Sequence, residues 1–384
     1  MASPATAAVS GSGGKQASPP AVIFCTPQAP STKIAALSVL DRLVVSLHRA
    51  GCGPIHIVCD GRLPSLKRTR ALGIEIRLVQ RFPAITEPTL LADCRLLVHP
   101  HDVHRAIQCR GRLVNHRGEG LPIGLTAAFS GDVEATLSLL RSVPAAEVAE
   151  FVPDPLTARR AENLLWKSLS CETDGLVDKY FNRPVGRILS KALIHTPVTP
   201  NQISVISMLT GIWAAYCFSR GTYSAGIWGA IWLQISAVID CVDGDIARML
   251  CKESRLGKWL DISADQVVHV ALFAALALGL HRQGSAAPIR LLGTSAVLGV
   301  LLSFGVVLRG MFLPREGRSA KLQKLIDAAA TRDFSVLLIL LAILQKLDWF
   351  LWMTGLGVHV FWITALILQY SGLRQPEFEK KSSS

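Results

Sequence analysis

Charge is scarce in this chain. Asp, Glu, Lys and Arg make up 18% of its 384 residues, against roughly 25% in an ordinary soluble domain. No two cysteines stand at C-x-x-C spacing, and no histidine cluster completes a zinc spacing, which sets aside zinc-ribbon and thioredoxin-like classes. The nine cysteines are odd in number, so a reduced, cytosol-facing chain accounts for them better than a disulfide framework. The opening residues, MASPATAAVSGSGG, have neither a basic segment nor an apolar core. No signal peptide is expected there, and residues 1–20 read as a disordered leader. What the chain has in quantity is apolar surface: half its residues are hydrophobic and the mean hydropathy is +0.37. Those values argue against a disordered protein, a coiled coil or a wholly soluble enzyme. The net charge of +12 suits nucleic acid or an anionic membrane surface. In so apolar a chain the membrane is the expected partner, and nucleic acid is not.

The composition changes near residue 200. Before it, short apolar runs at 21–25 (AVIFC), 55–59 (IHIVC), 74–79 (IEIRLV) and 95–98 (RLLV) read as buried strands. Residues 33–50 carry apolar side chains at helical spacing, and Gly51 stops that helix. Alternating strand and helix predicts an α/β domain with a mostly parallel sheet over residues 21–155. After residue 200 come long apolar spans at 203–219, 223–239, 266–280, 291–308, 334–345 and 349–370. A spanning helix needs about 20 residues. The third run reaches that length only by extending back over Asp261 and Asp265, and the fifth only if a flanking Arg332 or Lys346 snorkels. Six transmembrane helices are expected over 201–372, followed by a tail at 373–384.

With the N-terminal domain placed in the cytosol, thirteen Lys and Arg fall on the cytosolic side of these spans and four on the other. That bias puts the domain and both termini on the cytosolic side. Residues 156–200 form a linker, and within it 176–196 carry Lys179, Arg183, Arg187 and Lys191 every four residues. The spacing predicts an amphipathic helix lying on anionic headgroups at the interface.

The most informative segment runs from Asp240 to Asp265. Asp240 and Asp243 share one helix face, as do Asp261 and Asp265. The polar break at 252–255 turns the chain between two helices, so the two helix ends bring four carboxylates together. A salt-bridged loop would explain any one of these acids. Four on two phased faces, each costing several kcal/mol at membrane depth, call for cations between them. Hard divalent ions, Mg²⁺ or Mn²⁺, fit oxygen ligands of this kind.

The spacing is D-x2-D-G-x2-A-R-x8-G-x3-D-x3-D, unbroken from Asp240 to Asp265. It resembles the signature of the CDP-alcohol phosphotransferase superfamily, also called CDP-alcohol phosphatidyltransferases. Pro200-Asn201, at the mouth of the first span, is similar to a Pro-Asn pair of that family. The resemblance covers roughly residues 160–370. It implies that Asp240, Asp243, Asp261 and Asp265 ligate two metal ions, with Asp265 also the base that deprotonates the acceptor hydroxyl. It implies that Asn201, Gly244, Ala247, Arg248 and Gly257 shape the nucleotide pocket. The activity implied is transfer of a substituted phosphate from a CDP-alcohol donor to an acceptor alcohol or alcohol phosphate, releasing CMP, in the synthesis of phospholipids or polar headgroups such as inositol phosphates. A membrane lipid partner and a homodimer are further expectations. Arg309 and Arg332, at cytosolic helix ends, are candidates for holding the acceptor phosphate or for snorkelling. A rival of another class, an ion-coupled transporter, would show inverted repeats and acids at the midplane, and neither is evident.

The N-terminal domain resembles a sugar-phosphate nucleotidyltransferase fold, with Asp102 where such enzymes keep a metal-binding Asp. An active fold needs a Gly-rich loop after the first strand. Here residues 26–30 read Thr-Pro-Gln-Ala-Pro, with no glycine and with prolines that donate no N–H. The domain therefore reads as degenerate, used for docking, dimerisation or regulation. The alternative is a bifunctional enzyme whose N-terminal domain makes the CDP-alcohol from CTP. Residues 173–183 (TDGLVDKYFNR) resemble the junction of fused nucleotidyltransferase–phosphotransferase proteins.

Overall fold

The computed structural model describes residues 18–25, 32–59, 63–129, 131–169, 175–285, 288–312 and 334–382. Most of the expected leader, the loop at 26–30, the basic stretch at 313–333 and with it Arg332 lie outside the described residues. The chain divides into two compact units. One holds Pro4–Leu169 with the short segment Arg248–Cys251, the other Ser170–Ala247 with Lys252–Ser384.

The first unit is α/β. Strand β1 (Ala21–Phe24) is followed by a small hairpin, β2 (Lys33–Ile34) and β3 (Leu37–Ser38), and by helix α1 (Val39–Arg49). The hairpin replaces the start of the helix expected over 33–50. Ala35 adopts φ +54 and turns the chain, and Ser38 then caps α1 by accepting the Asp41 N–H. Gly51, at φ +86, stops α1 as its conformational freedom allows. Next come β4 (Ile55–Val58), α2 (Lys67–Ala71), β5 (Ile76–Val79), β6 (Thr89–Asp93), β7 (Leu96–Leu97), α3 (Pro100–Cys109), β8 (Gly111–Val114), β9 (Gly120–Thr126), α4 (Val133–Ser138), β10 (Arg141–Pro144), β11 (Glu150–Phe151) and α5 (Pro155–Ser168).

The main sheet has seven strands in the order β10-β8-β9-β6-β1-β4-β5. It is mixed: β1 pairs in parallel with β4 and β6, while β9 runs antiparallel to both β6 and β8. The run at 95–98 supplies only β7, which pairs with β11 outside this sheet. The strand beside β1 is Thr89–Asp93, buried at every position. One face of the sheet packs on α1 and α3 residues around Ile23, Ile57 and Ala92. The other buries Val22 and Leu91 with Leu137 of α4.

The second unit is helical. A π-helical turn at Asp178–Asn182 leads into α6 (Arg183–Leu193), then α7 (Pro200–Ser219), α8 (Tyr223–Met249), α9 (Arg255–Arg282), α10 (Ile289–Phe312), α11 (Phe334–Ile343) and α12 (Leu347–Ser382). Five of these, α7 to α10 and α12, are long and apolar enough to cross a membrane. The expected fifth span, α11, has ten residues and belongs to the shorter apolar helices. The α12 helix continues past its apolar part into the expected tail. Close packing rests on small residues: a Cβ on Gly279 of α9 would stand 2.1 Å from the Phe218 carbonyl oxygen of α7. Ser207 and Ser236 tie α7 to α8, each hydroxyl donating to the other's carbonyl at 2.9 Å.

Candidate active site

The four acids lie on consecutive helices. Asp240 and Asp243 stand toward the end of α8, and Asp261 and Asp265 in the first turns of α9. The chain leaves α8 through Cys251, at φ +52, a left-handed residue of the kind that ends helices. Ser254 opens α9 by accepting the Gly257 N–H at 2.9 Å. One carboxylate oxygen from each of Asp240, Asp261 and Asp265 lies within 4.8 Å of the others, and all three residues are half-buried. At that distance each pair of charges repels by roughly 3 kcal/mol at an effective dielectric near 20. A hard cation with several oxygen ligands relieves this repulsion. Asp243 has a different setting. It is 6% exposed and accepts a hydrogen bond from the Ser204 hydroxyl of α7. Three of the four acids thus form one cluster, and the fourth ties the motif helix to α7.

The start of α7 is defined by its own cap. Thr199 accepts the Gln202 N–H, the Gln202 side chain accepts the Thr199 N–H at 2.9 Å, and Pro200 occupies the first turn. Asn201 is thereby held beside α9. A Cβ built on Gly257 would stand 3.2 Å from Asn201 Oδ1 and 3.1 Å from Ser254 Oγ, so any side chain there narrows the gap between α7 and α9. Gly244, Ala247 and Arg248 follow Asp243 along α8, all half-buried. Arg309 stacks its guanidinium 4.5 Å over the Tyr370 ring, a cation–π contact between α10 and α12.

Several polar residues here escape a reading of spacing alone. Asp245, a variable position inside the motif, is fully buried and pairs with Arg183 at 3.3 Å. A hydrogen-bonded chain adjoins it. Asn182 donates to Asp178 at 2.7 Å, Gln234 donates to Asn182 at 2.5 Å, and Ser335 donates to Gln234 at 2.7 Å. Arg183 therefore turns inward, away from the headgroup-facing row expected for the basic stretch. The exposed residues of this stretch are largely apolar, with Tyr180, Phe181, Val185, Ile188 and Leu189 among them. The signal for Ser204 was its place one helical turn after Pro200, to whose carbonyl it also donates.

In the first unit a cleft of about 760 Å³ opens at the carboxyl ends of β1 and β6, bordered by Phe24, Asp93, Arg95, Arg112, Glu119 and Arg160. Open α/β sheets bind ligands at such a point, where neighbouring connections diverge. Asp93 there receives both the backbone and the guanidinium of Arg95. Its carboxylate also raises the pKa of Arg95. Asp102, expected at a metal position, is instead fully buried in α3 and accepts the Ala146 and Glu147 N–H groups at 2.7 and 2.9 Å. Its two oxygens are engaged by the backbone, and it secures the turn after β10.

The helical half has a recognisable family. Residues 197–368 match the model of the CDP-alcohol phosphatidyltransferase family. This segment is a CDP-alcohol phosphatidyltransferase domain. The domain's motif spans α8 and α9, and Asn201 lies at its amino-terminal edge. A protein of Aquifex aeolicus named bifunctional IPC transferase and DIPP synthase is 32% identical, over 36% of this chain and 32% of that protein. The chain thus aligns with about a third of that relative's length. A protein of the same name from Rubrobacter xylanophilus is 24% identical, over 72% of this chain and 78% of that protein. That share is larger than the phosphatidyltransferase domain can supply, so the likeness extends into the N-terminal half. Among solved structures, the phosphatidylinositol phosphate synthase of Mycobacterium tuberculosis in complex with manganese and citrate is 17% identical with a TM-score of 0.35, covering 47% of this chain and 87% of that one.

Proposed function

We propose that the protein is a membrane CDP-alcohol phosphotransferase that moves a substituted phosphate from a CDP-linked donor to an acceptor alcohol and releases CMP. The observation that carries this reading is the cluster of Asp240, Asp261 and Asp265 within 4.8 Å, borne on the unbroken family motif. The donor set is all carboxylate oxygen, which fits Mg²⁺ or Mn²⁺. Asp240, Asp243, Asp261 and Asp265 are assigned to two such ions. When bound, the ions neutralise charge on the donor diphosphate and on the departing CMP. Asn201, Gly244, Ala247, Arg248 and Gly257 form the nucleotide slot, whose width depends on the missing side chain at 257. Asp265 accepts the proton of the acceptor hydroxyl as that oxygen attacks phosphorus. Arg309 and Arg332 are the acceptor-phosphate candidates.

The same reading gives a six-span membrane domain over 201–372. The stretch at 176–196 lies at the interface, and the α/β domain over 21–155 and the acids face the cytosol. A homodimer completes it. The exposed apolar face of α6 supports interfacial placement. Relatives named archaetidylinositol phosphate synthase and phosphatidylinositol phosphate synthase favour an inositol phosphate compound on one side of the reaction. The test is to incubate purified protein with candidate CDP-alcohols and acceptors and to follow CMP release and product mass. No CMP release with any donor, at any divalent ion, would overturn it.

A second reading is favoured by one observation: the likeness to the Rubrobacter bifunctional protein covers more than the membrane domain. On that reading the cleft beside Asp93 makes the donor from CTP. Pyrophosphate release by full-length protein given CTP and an alcohol phosphate would support it. Its absence supports a docking or regulatory domain.

A further inference from the structure

Three cysteines follow directly on three neighbouring strands: Cys59 after β4, Cys25 after β1 and Cys94 after β6. The strands are parallel and in register, with Phe24 opposite Val58 on one side and Asp93 on the other. The ladder continues one residue further. The Cys25 N–H donates to Val58 O at 2.9 Å, the Cys94 N–H to Phe24 O at 3.1 Å and the Cys59 N–H to Val79 O at 3.3 Å. The cysteines therefore form one row across the sheet. Opposed residues of an in-register parallel pair point to the same face. Two residues earlier on each strand stand Ile57, Ile23 and Ala92, all in the larger core. Cys94 is 3% exposed, and Cys25 and Cys59 pack against that core. The middle thiol, Cys25, interacts with both Cys94 and Cys59.

We propose that Cys25 and Cys94, with Cys59 as the alternate partner of Cys25, form a thiolate site for a soft monovalent cation of the Cu(I) type. Spacing and ligand number select this chemistry. Adjacent strands lie about 4.8 Å apart, whereas a disulfide needs Cβ atoms about 3.8 Å apart. Two metal–sulfur bonds of about 2.3 Å each, arranged nearly in line, match the strand spacing. Structural zinc asks for four ligands. Cys59 and Cys94 sit two strands apart, roughly 10 Å between backbones, so three thiolates do not close on one ion. Thiolates select soft cations, and a two-coordinate monovalent ion is satisfied by one neighbouring pair.

The binding step balances. Two thiols release two protons and take up one monovalent cation, leaving a unit negative charge on the S–metal–S group. Arg95, paired with Asp93, also interacts electrostatically with both Cys94 and Cys25 and lies beside that charge. Without an ion, the interaction with Cys94 and burial hold the Cys25 thiol far above the ordinary cysteine range, so the row rests as neutral thiols. The position suits a ligand on general grounds, because it lies at the carboxyl ends of parallel strands on either side of β1.

The test uses reduced, full-length protein in detergent, loaded anaerobically with Cu(I) in competition with a chromophoric bicinchoninate or bathocuproine chelator. Wild type should retain an equivalent that Cys25→Ser loses, with at least a tenfold drop in affinity for it. X-ray absorption of the singly loaded protein should show two sulfur neighbours. Cys109→Ser, which removes an exposed cysteine outside the row, should bind as wild type does. If Cys25→Ser fails to fold, the Cys59→Ser/Cys94→Ser double variant keeps Cys25 and must also lose the equivalent. Retention of the full Cu(I) complement by either folded variant overturns the site. So does a Cys25–Cys94 disulfide forming in air in metal-free protein, because the thiols would then stand closer than the strand spacing allows.

Discussion

The buried pair of Arg183 and Asp245 offers a quantitative test of how the segment before the membrane holds the motif helix. The partners stand 3.3 Å apart with 7% and 0% side-chain exposure. Asp245→Asn removes one charge and leaves the guanidinium in a site built for a pair. Breaking a buried pair in this way costs about 3–5 kcal/mol, because the remaining charge is uncompensated. Arg183→Met strands Asp245 and should cost a similar amount. Replacing both, as Arg183→Met/Asp245→Leu, removes both desolvation penalties and should return most of the stability, to within about 1 kcal/mol of wild type. With Asp245→Leu, expected to cost about as much as Asp245→Asn, as the second single, the double-mutant cycle should give a coupling of about 5 kcal/mol or more. The assay is reversible denaturation in mixed micelles, followed by tryptophan fluorescence and circular dichroism. A cost under about 1 kcal/mol for Asp245→Asn, or a double variant whose loss equals the sum of the singles, would refute the reasoning. It would mean that water or lipid headgroups, and not the partner, solvate these charges.

Chelation with EDTA should abolish CMP release, and Mg²⁺ or Mn²⁺ should restore it; full turnover in excess chelator would remove the metal assignment of the acid cluster. Asp265→Asn should lower kcat by about 10²–10⁴-fold, checked by steady-state kinetics at saturating donor and Mg²⁺. Gly257→Val places methyl groups where a Cβ alone already stands 3.2 Å from Asn201 Oδ1; it should weaken CDP-alcohol binding, measured by calorimetry, in a protein that still folds. Burial pushes the Cys52 thiol up to about 12, so at pH 8 only about one molecule in ten thousand carries its thiolate. Maleimide should therefore label exposed Cys109 in the folded protein and reach Cys52 only after unfolding, as mass spectrometry of peptides would show.

What could be read from the chain alone is what depends on near neighbours. The spans are legible because some 20 apolar residues in a row leave a helix little choice of solvent. Helical spacing alone puts Asp240 near Asp243, and Asp261 near Asp265, and the polar break between them demands a turn. Gly51 stops a helix for a local reason, its positive φ. Lys33–Ser38 resisted because its apolar spacing suits a helix, while the left-handed turn at Ala35 and pairing with Leu37 make a hairpin. Thr89–Asp93 escapes such a reading because its three apolar residues, Leu90–Ala92, are too few to show a period.

Tertiary structure decided which of the polar residues meet. Nothing within twenty residues of Arg183 announces that it faces Asp245 and not the headgroups; only the packing of α6 on α8 closes that pair. Asp102 and Asp93 both follow an apolar run, yet one is consumed by the backbone N–H groups of Ala146 and Glu147 and the other borders a cleft. The row of Cys59, Cys25 and Cys94 comes from chain positions far apart and exists only because the sheet places β4, β1 and β6 side by side. Spacing along a helix is set by the backbone's own period, whereas register between strands and contact between helices are set by where distant apolar faces find each other, and that choice is made by the whole core.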